Sequence, residues 1–428
     1  MTVPELGSHK AWPRRRLKYC VRLIDEKVDE VDQPERYVGL ENIESWTGRH
    51  IPSGAEGPGE GASNRFAAGD VLFGKLRPYL AKCFLTSWSG TCTGELLVLR
   101  PALFEGRFLQ FLMLSPPWIE LVNSSTYGAK MPRANWQFIG NARVPVPAME
   151  EQRVIADFLA QETGRIDELI AKKERLIELI EQRWRKEVSF HVCRGMASGM
   201  AAPTVNLPYV DKLPRHWQLP PLYARYSVAL GKMLDTRQIT GAFLMPYLRN
   251  IDVQWDAINA EDLPQMDIQP EEYDRYLLRK GDLLVCEGGE VGRCCIWAGA
   301  LKPCSFQKAL HRLRPRRDDE CVRYMFYTLA HVANSGYFAA SGSPNTIPHL
   351  TAEKLRVFRL PKPPRGEQVE IADYLDAECQ RLRGLETKIR EAVNKLVGYR
   401  AALISAAVTG RINVRTYRKE PEAVMEAP

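Results

Sequence analysis

"EEQRVIADFL" occupies Glu150–Leu159 and "GEQVEIADYL" occupies Gly366–Leu375. Six of the ten positions are identical, and a seventh exchanges Phe158 for Tyr374. The copies stand 216 residues apart. Each opens a proline-free, highly charged stretch, 148–192 and 366–409. In the first, Ile155, Leu159, Glu162, Ile166, Leu169, Lys173, Leu176 and Ile180 follow alternating steps of four and three. In the second, Ile371, Leu375, Leu382, Leu385, Ile389, Leu396, Tyr399 and Leu403 do the same, with Glu378 and Ala392 filling the gaps. That spacing is a heptad seam on a helix. At 1.5 Å per residue, each helix of roughly 45 residues is about 65 Å long. A long one-sided helix is not stable alone, so its apolar stripe needs a partner. The available partner is the other copy. The pair is expected to be antiparallel, because "SGMAAPTVNLPYVDKLPRHW" (198–217) begins a second domain at the far end of the first helix.

The repeat extends beyond the helices. "LENI" (40–43) returns as "LRNI" (248–251), "GDVL" (69–72) as "GDLL" (281–284), and "LRP" (99–101) at 313–315. "MPRANW" (131–136) aligns with "IPHLTA" (347–352), and "VP" (144–145) with "LP" (360–361). The offset drifts from 208 through 212 and 214 to 216, always in order. Loop insertions in a duplicated unit produce such a drift. A unit of about two hundred residues is too long for a solenoid repeat. Within each unit, short β-prone runs such as "DVLFGKL" and "DLLVCEG" mix with helical spacing at 106–122 and 321–335, an α+β pattern. The expected molecule has two similar heads spaced by a helical rod.

Composition is that of a folded globular chain: 428 residues, 45% hydrophobic and 26% charged, with a net charge of +7. No apolar run reaches a membrane span, and the N-terminal stretch lacks a secretory signature, so the expected compartment is the cytoplasm. Ten cysteines form no C-x-x-C pair and read as small buried hydrophobes. Basic clusters at 13–18 ("PRRRLK") and 312–317 ("RLRPRR") lean towards an acidic partner. Neither a zinc-protease helix motif, a phosphate loop nor a serine-nucleophile elbow is present. "NLPY" (206–209) lacks the second proline and the upstream glycine loop of an amino-methyltransferase. "CEGGEVGRCCIW" (286–297) alternates like a hairpin with glycines at its tip.

"EEQRVIADFL…RIDELIAKKERLIELI", "GDVLFGKLRPYLAK", "STYGAKMPRANWQFIGNARVPVP" and "GDLLVCEGGEVGRC" together resemble the specificity subunits of type I DNA restriction–modification systems, from about Leu17 to Ile412. The resemblance implies an α+β fold that duplicates a target-recognition domain followed by a long helix, the two helices forming an antiparallel coiled coil. The corresponding division is 1–147, first recognition domain; 148–196, central helix; 197–212, linker; 213–364, second recognition domain; 365–410, C-terminal helix; and 411–428, tail. It further implies a non-catalytic chain that reads a bipartite target on double-stranded DNA and docks two modification (methyltransferase) subunits, with restriction subunits joining later. S-adenosylmethionine, ATP and magnesium are expected on those partners, and no cofactor or metal on this chain. The heads differ in detail, so the target should be asymmetric.

Gly- or Pro-flanked loops beside the repeat anchors supply the DNA-contact candidates: Lys75, Arg77, Lys130, Arg133, Asn135 and Trp136 in the first head, and Arg293, Lys308, Asn345, Thr346 and His349 in the second. Subunit-docking candidates are Arg165, Lys172 and Arg175 on the first helix, and Arg383, Lys388 and Arg390 on the second. The competing reading is a two-headed scaffold that binds proteins. Steep salt dependence would separate DNA binding from an apolar protein interface.

Overall fold

The computed structural model describes residues 5–7, 12–28, 36–52, 63–126, 131–196, 204–234, 240–340 and 349–417. The chain divides into two compact units. One combines residues 1–174 with 389–428, and the other is 175–388. The two long helices, Met149–Arg194 and Arg365–Val408, each contribute to both.

The first unit is built on a four-stranded antiparallel sheet in the order Val21–Ile24, Leu96–Pro101, Val71–Gly74, Cys83–Leu85. All four residues of Val71–Gly74 are buried. Alternation explains why. Val71 and Phe73 face a core with the helices Gly106–Leu114 and Pro116–Asn123, while Leu72 faces a second core with Val38, Ile43, Phe66 and Val98. A strand covered on both faces reads as a continuous apolar run, and "DVLF" is one. The second core is closed by a smaller sheet ordered Lys27–Val28, Ser63–Phe66, Gly90–Thr93, Tyr37–Val38.

The second unit repeats the main sheet in the same order: Tyr226–Leu230, Leu310–Pro315, Leu283–Cys286, Cys294–Ile296, again antiparallel throughout. Leu283 and Val285 face the helix Val322–Asn334, and Leu284 and Cys286 face the opposite core. Its smaller sheet has three strands, Gln265–Asp267, Leu244–Leu248 and Ser305–Phe306. The hairpin expected at "CEGGEVGRCCIW" is present, with Gly289 and Gly292 at φ 71° and 86°. A Cβ on Gly292 would stand 2.4 Å from Phe338, so glycine is needed there for space as well as for φ.

The repeated motifs are structural joints. The aspartates of the two "GD" motifs take bidentate bonds from the arginines of the two "LRP" motifs. Asp70 binds Arg100 at 2.8 Å twice, and Asp282 binds Arg314 at 2.7 Å twice. Glu151 accepts the Trp12 indole N–H at 3.0 Å, and Glu367 accepts that of Trp217 at 3.0 Å. Gln152 and Gln368, also in the repeated phrase, are buried and each bonds three backbone groups.

In the first unit, Ile155, Ala156, Leu159 and Ile166 share a core with Leu403, Ile404, Ala407 and Val408, so the N-terminal turns of one long helix meet the C-terminal turns of the other. A buried ion pair joins them there, Arg400 to Asp167 at 2.8 Å. In the second unit, Val188, Val192 and Cys193 share a core with Ile371, Ala372 and Leu375. Of the other seam positions, Ile180, Leu382 and Ile389 are buried, and Leu169 and Leu396 are half-buried. Leu176, Leu385 and Tyr399 depart from the expected seam, at 44%, 40% and 42% exposed; Ile177 is the buried neighbour of Leu176. The departures are local, because Ile180 and Ile389, four residues beyond Leu176 and Leu385, are buried on the expected register.

Candidate nucleic-acid interface

In the first unit the loop after Val71–Gly74 meets the loop before the short helix Trp136–Ile139. Lys75 donates its N–H to the Glu95 carbonyl at 3.0 Å, and its own carbonyl accepts the Ala134 N–H at 2.8 Å. Leu76 bridges Arg133, and the Arg77 N–H reaches the Pro132 carbonyl at 2.8 Å. Lys75, Arg77, Arg133, Asn135 and Trp136 are thereby brought together. Their side chains do different things. Arg77 is exposed, at φ 50°. Arg133 grips Glu95 with bonds of 2.9–3.1 Å, which neutralises its charge locally. Asn135 caps the short helix by accepting the Gln137 N–H at 2.8 Å. Trp136 packs half-buried on the core. Lys130 lies outside the described residues.

In the second unit Asn250 is the hub. Its amide Nδ2 donates to the Gly288 carbonyl at 3.1 Å and the Ala309 carbonyl at 3.3 Å. Arg293, a sequence candidate for base contact, instead donates to the Asn250 carbonyl and Oδ1, both at 3.0 Å, with its side chain only 13% exposed. Arg293 is therefore a brace of the loop, held between the Asn250 hub and the Glu290 carboxylate at 3.6 Å. Lys308 and His349 are exposed. The Lys308 N–H bonds the Lys232 carbonyl at 2.7 Å, and His349 lies against Gly288, where a Cβ would come within 3.2 Å of Nδ1. Asn345 and Thr346 lie outside the described residues.

The cluster "RLRPRR" is less of a surface than its charge suggests. Arg312 is 4% exposed and donates to the Asp274, Arg275 and Leu277 carbonyls, while Arg314 is held by Asp282. Burial holds the Arg312 guanidinium down to about 10. Burial likewise pushes the thiols of Cys92, Cys295 and Cys304 up to about 12, so they carry no thiolate chemistry near neutrality. The six docking candidates, Arg165, Lys172, Arg175, Arg383, Lys388 and Arg390, are all exposed on the long helices. Three have acidic neighbours on the same helix: Arg165 with Glu162, Lys172 with Glu168 and Arg175 with Glu178. Sequence reasoning missed Asn250, Gln152 and Gln368 as organising residues, although each sits inside a repeated motif.

The hub and the strands around it fall in one matched segment. Residues 249–395 match the type I restriction modification DNA specificity domain. Over 158 residues the chain is 24% identical to the type I restriction enzyme EcoDI specificity subunit of Escherichia coli, covering 36% of this chain and 34% of that one. It thus spans about a third of that relative's length. It is 20% identical over 356 residues to the type I restriction enzyme MjaVIII specificity subunit of Methanocaldococcus jannaschii, covering 77% of this chain and 79% of that one. The fold is similar to a solved chain described under complex assembly and conformational transition of the type I R-M system. That likeness covers 95% of this chain and all of the other, at 21% identity and a TM-score of 0.71. The specificity-domain match thus takes in most of the second unit's main sheet, its loop hub and most of the second long helix.

Proposed function

We propose that this chain is the DNA sequence-specificity subunit of a type I restriction–modification assembly. The observation that carries the reading is the specificity-domain match over residues 249–395, laid on a unit whose strand order recurs in the first. The two units are read as duplicated recognition domains, bounded near 1–147 and 213–364, each taking one half of a bipartite, asymmetric site on double-stranded DNA. The long helices are read as an antiparallel coiled coil that carries two modification subunits. The shared cores of their opposite ends support this. Phosphate contacts from exposed cations such as Arg77 and Lys308 position the duplex, and base contacts from the loop tips specify it. The chain performs no chemistry. Methyl transfer to adenine from S-adenosylmethionine, and ATP- and magnesium-dependent restriction, belong to partner subunits in the cytoplasm.

Methylation-sensitive sequencing of a host with and without the gene tests this. Adenine methylation at one gapped, asymmetric motif should appear only with the gene. Methyl transfer by the purified chain alone would overturn the reading.

A further inference from the structure

The two copies of L-x-N-I treat their isoleucine oppositely. In the first unit Ile43 is fully buried, in the core beneath the smaller sheet. In the second unit Ile251 is 68% exposed, and Val253, two residues on, is fully buried instead. The cause is local. Asp252, 2% exposed, accepts the backbone N–H of Arg249 at 2.7 Å and holds its guanidinium at 2.7 and 2.9 Å. That closes a single turn over Asn250–Asp252 and aims the residue between them outward. Asn250 then pins the turn to the Gly288 and Ala309 carbonyls and to Arg293. Ala309 is itself held at φ 100°, a conformation that alanine rarely adopts. A β-branched apolar side chain with little rotamer freedom is thus presented on a rigid, braced turn.

We infer that Ile251 is a specificity residue of the second unit, making an apolar contact with a base of duplex DNA. The inference rests on the DNA-specificity reading above and adds a residue to it. The surroundings favour nucleic acid over protein. The exposed residues around the hub are Lys308, His349, Gly289, Glu290 and Gln254, all polar or glycine. The Glu290 carboxylate is taken up by Arg293 and the Trp255 indole, which leaves Lys308 as the cation beside the isoleucine. A protein interface needs a contiguous patch of about 800 Å² per partner, whereas a thymine methyl or an unstacked base step takes one apolar side chain. Because Ile251 is uncharged, its contribution should be independent of salt.

The test uses the full chain assembled with modification subunits, selecting bound sites from random duplex DNA at several salt concentrations. Ile251→Ala should relax preference at one or two positions of a single half-site by roughly tenfold. The other half-site and the salt slope should stay unchanged. Ile251→Val should retain most of the preference. Since Ile251 is exposed, neither change should alter the thermal midpoint. Unchanged selection by Ile251→Ala would overturn the inference, and so would loss of subunit association on size exclusion, which would mark a protein contact. Failure of the wild-type assembly to select any sequence would instead sink the underlying reading.

Discussion

Gln368 accepts the backbone N–H of Cys321 at 2.8 Å, at the residue that caps the helix Val322–Asn334. Its amide nitrogen donates to the Asp319 carbonyl at 3.2 Å and to the Pro363 carbonyl at 2.9 Å. Gln152 repeats all three bonds, 216 residues earlier: Glu105 at 2.7 Å, Leu103 at 3.0 Å and Pro147 at 2.9 Å. One side chain in each unit therefore ties the start of a long helix to the turn that opens a domain helix. Loop, helix cap and long helix are fixed by one buried amide, which explains why the phrase is written twice.

Gln368→Ala leaves a buried N–H and two carbonyls without that partner. It should destabilise the second unit by roughly 1–3 kcal/mol. Hydrogen exchange should accelerate in the helix Val322–Asn334 and not in Gly106–Leu114, with the reverse for Gln152→Ala. Gln368→Glu keeps the acceptor but turns an anion towards two carbonyls, and should cost more than alanine. Equal exchange in both helices for either variant would show that the amides are not local anchors.

The paired "GD" and "LRP" motifs allow a graded comparison. Asp70 and Asp282 are each 1% exposed, but Arg100 is 43% exposed and Arg314 only 19%. Removing the carboxylate strands a partly solvated cation in the first unit and a mostly desolvated one in the second. Asp282→Ala should therefore cost about 3 kcal/mol. Asp70→Ala should cost less, because water recovers the Arg100 charge. Chemical denaturation of the two variants checks the order.

Much of this architecture was legible because repetition is visible without any neighbour in space. The order of the copied motifs pointed to two units of like design. The helix interior was less legible. Leu176, Leu385 and Tyr399 fit a seam on paper but stand exposed, while Ile180 and Ile389 of the same register are buried. Charges were hardest to read, because their partners are remote in sequence. Arg133 meets Glu95 from 38 positions away, and Arg293 meets Asn250 from 43. A cation in a loop looks free until the fold supplies its acceptor. The reverse held for Ile251, where a motif shared with a buried residue concealed an exposed one.

His311 gives the second unit a predicted acid sensitivity. It is fully buried on the strand Leu310–Pro315, and its Nε2–H donates to the Leu350 carbonyl at 2.6 Å. The carbonyl can only accept, so Nδ1 is the unprotonated nitrogen, and no group among the described residues bonds it. Burial holds the imidazole below its usual value, against the weaker pull of the Leu350 carbonyl. With the folded-state pKa depressed, the unfolded chain binds the proton first. The contribution is present above the unfolded value of about 6.5 and is lost as pH falls from there through the folded value. Unfolding midpoints of the second unit should therefore drop between pH 7 and 5. His311→Gln, which keeps a donor for Leu350, should flatten that dependence. An equally steep profile in the variant would place the proton uptake elsewhere.

Arg77 separates stability from recognition. It holds φ 50° and ψ 60°, the left-handed region, and its local bonds are made by the backbone, N–H to the Pro132 carbonyl and carbonyl from the Leu80 N–H. A residue with a Cβ costs roughly 1–2 kcal/mol in that conformation, and glycine does not. Arg77→Gly should consequently leave the first unit as stable as before, or more so, once the greater freedom of glycine in the unfolded chain is counted. The same change deletes an exposed cation from the face where Lys75, Arg133 and Asn135 converge. If that cation lies on a phosphate, binding should weaken to a similar extent on every sequence, and the slope of log affinity against log salt should shrink by about one. Arg77→Ala should give the same loss in slope without the gain in stability, since it keeps the Cβ. Thermal denaturation and duplex titrations at several salt concentrations read the two effects independently. A full salt slope in both variants would remove Arg77 from the interface, whatever happened to the melting point.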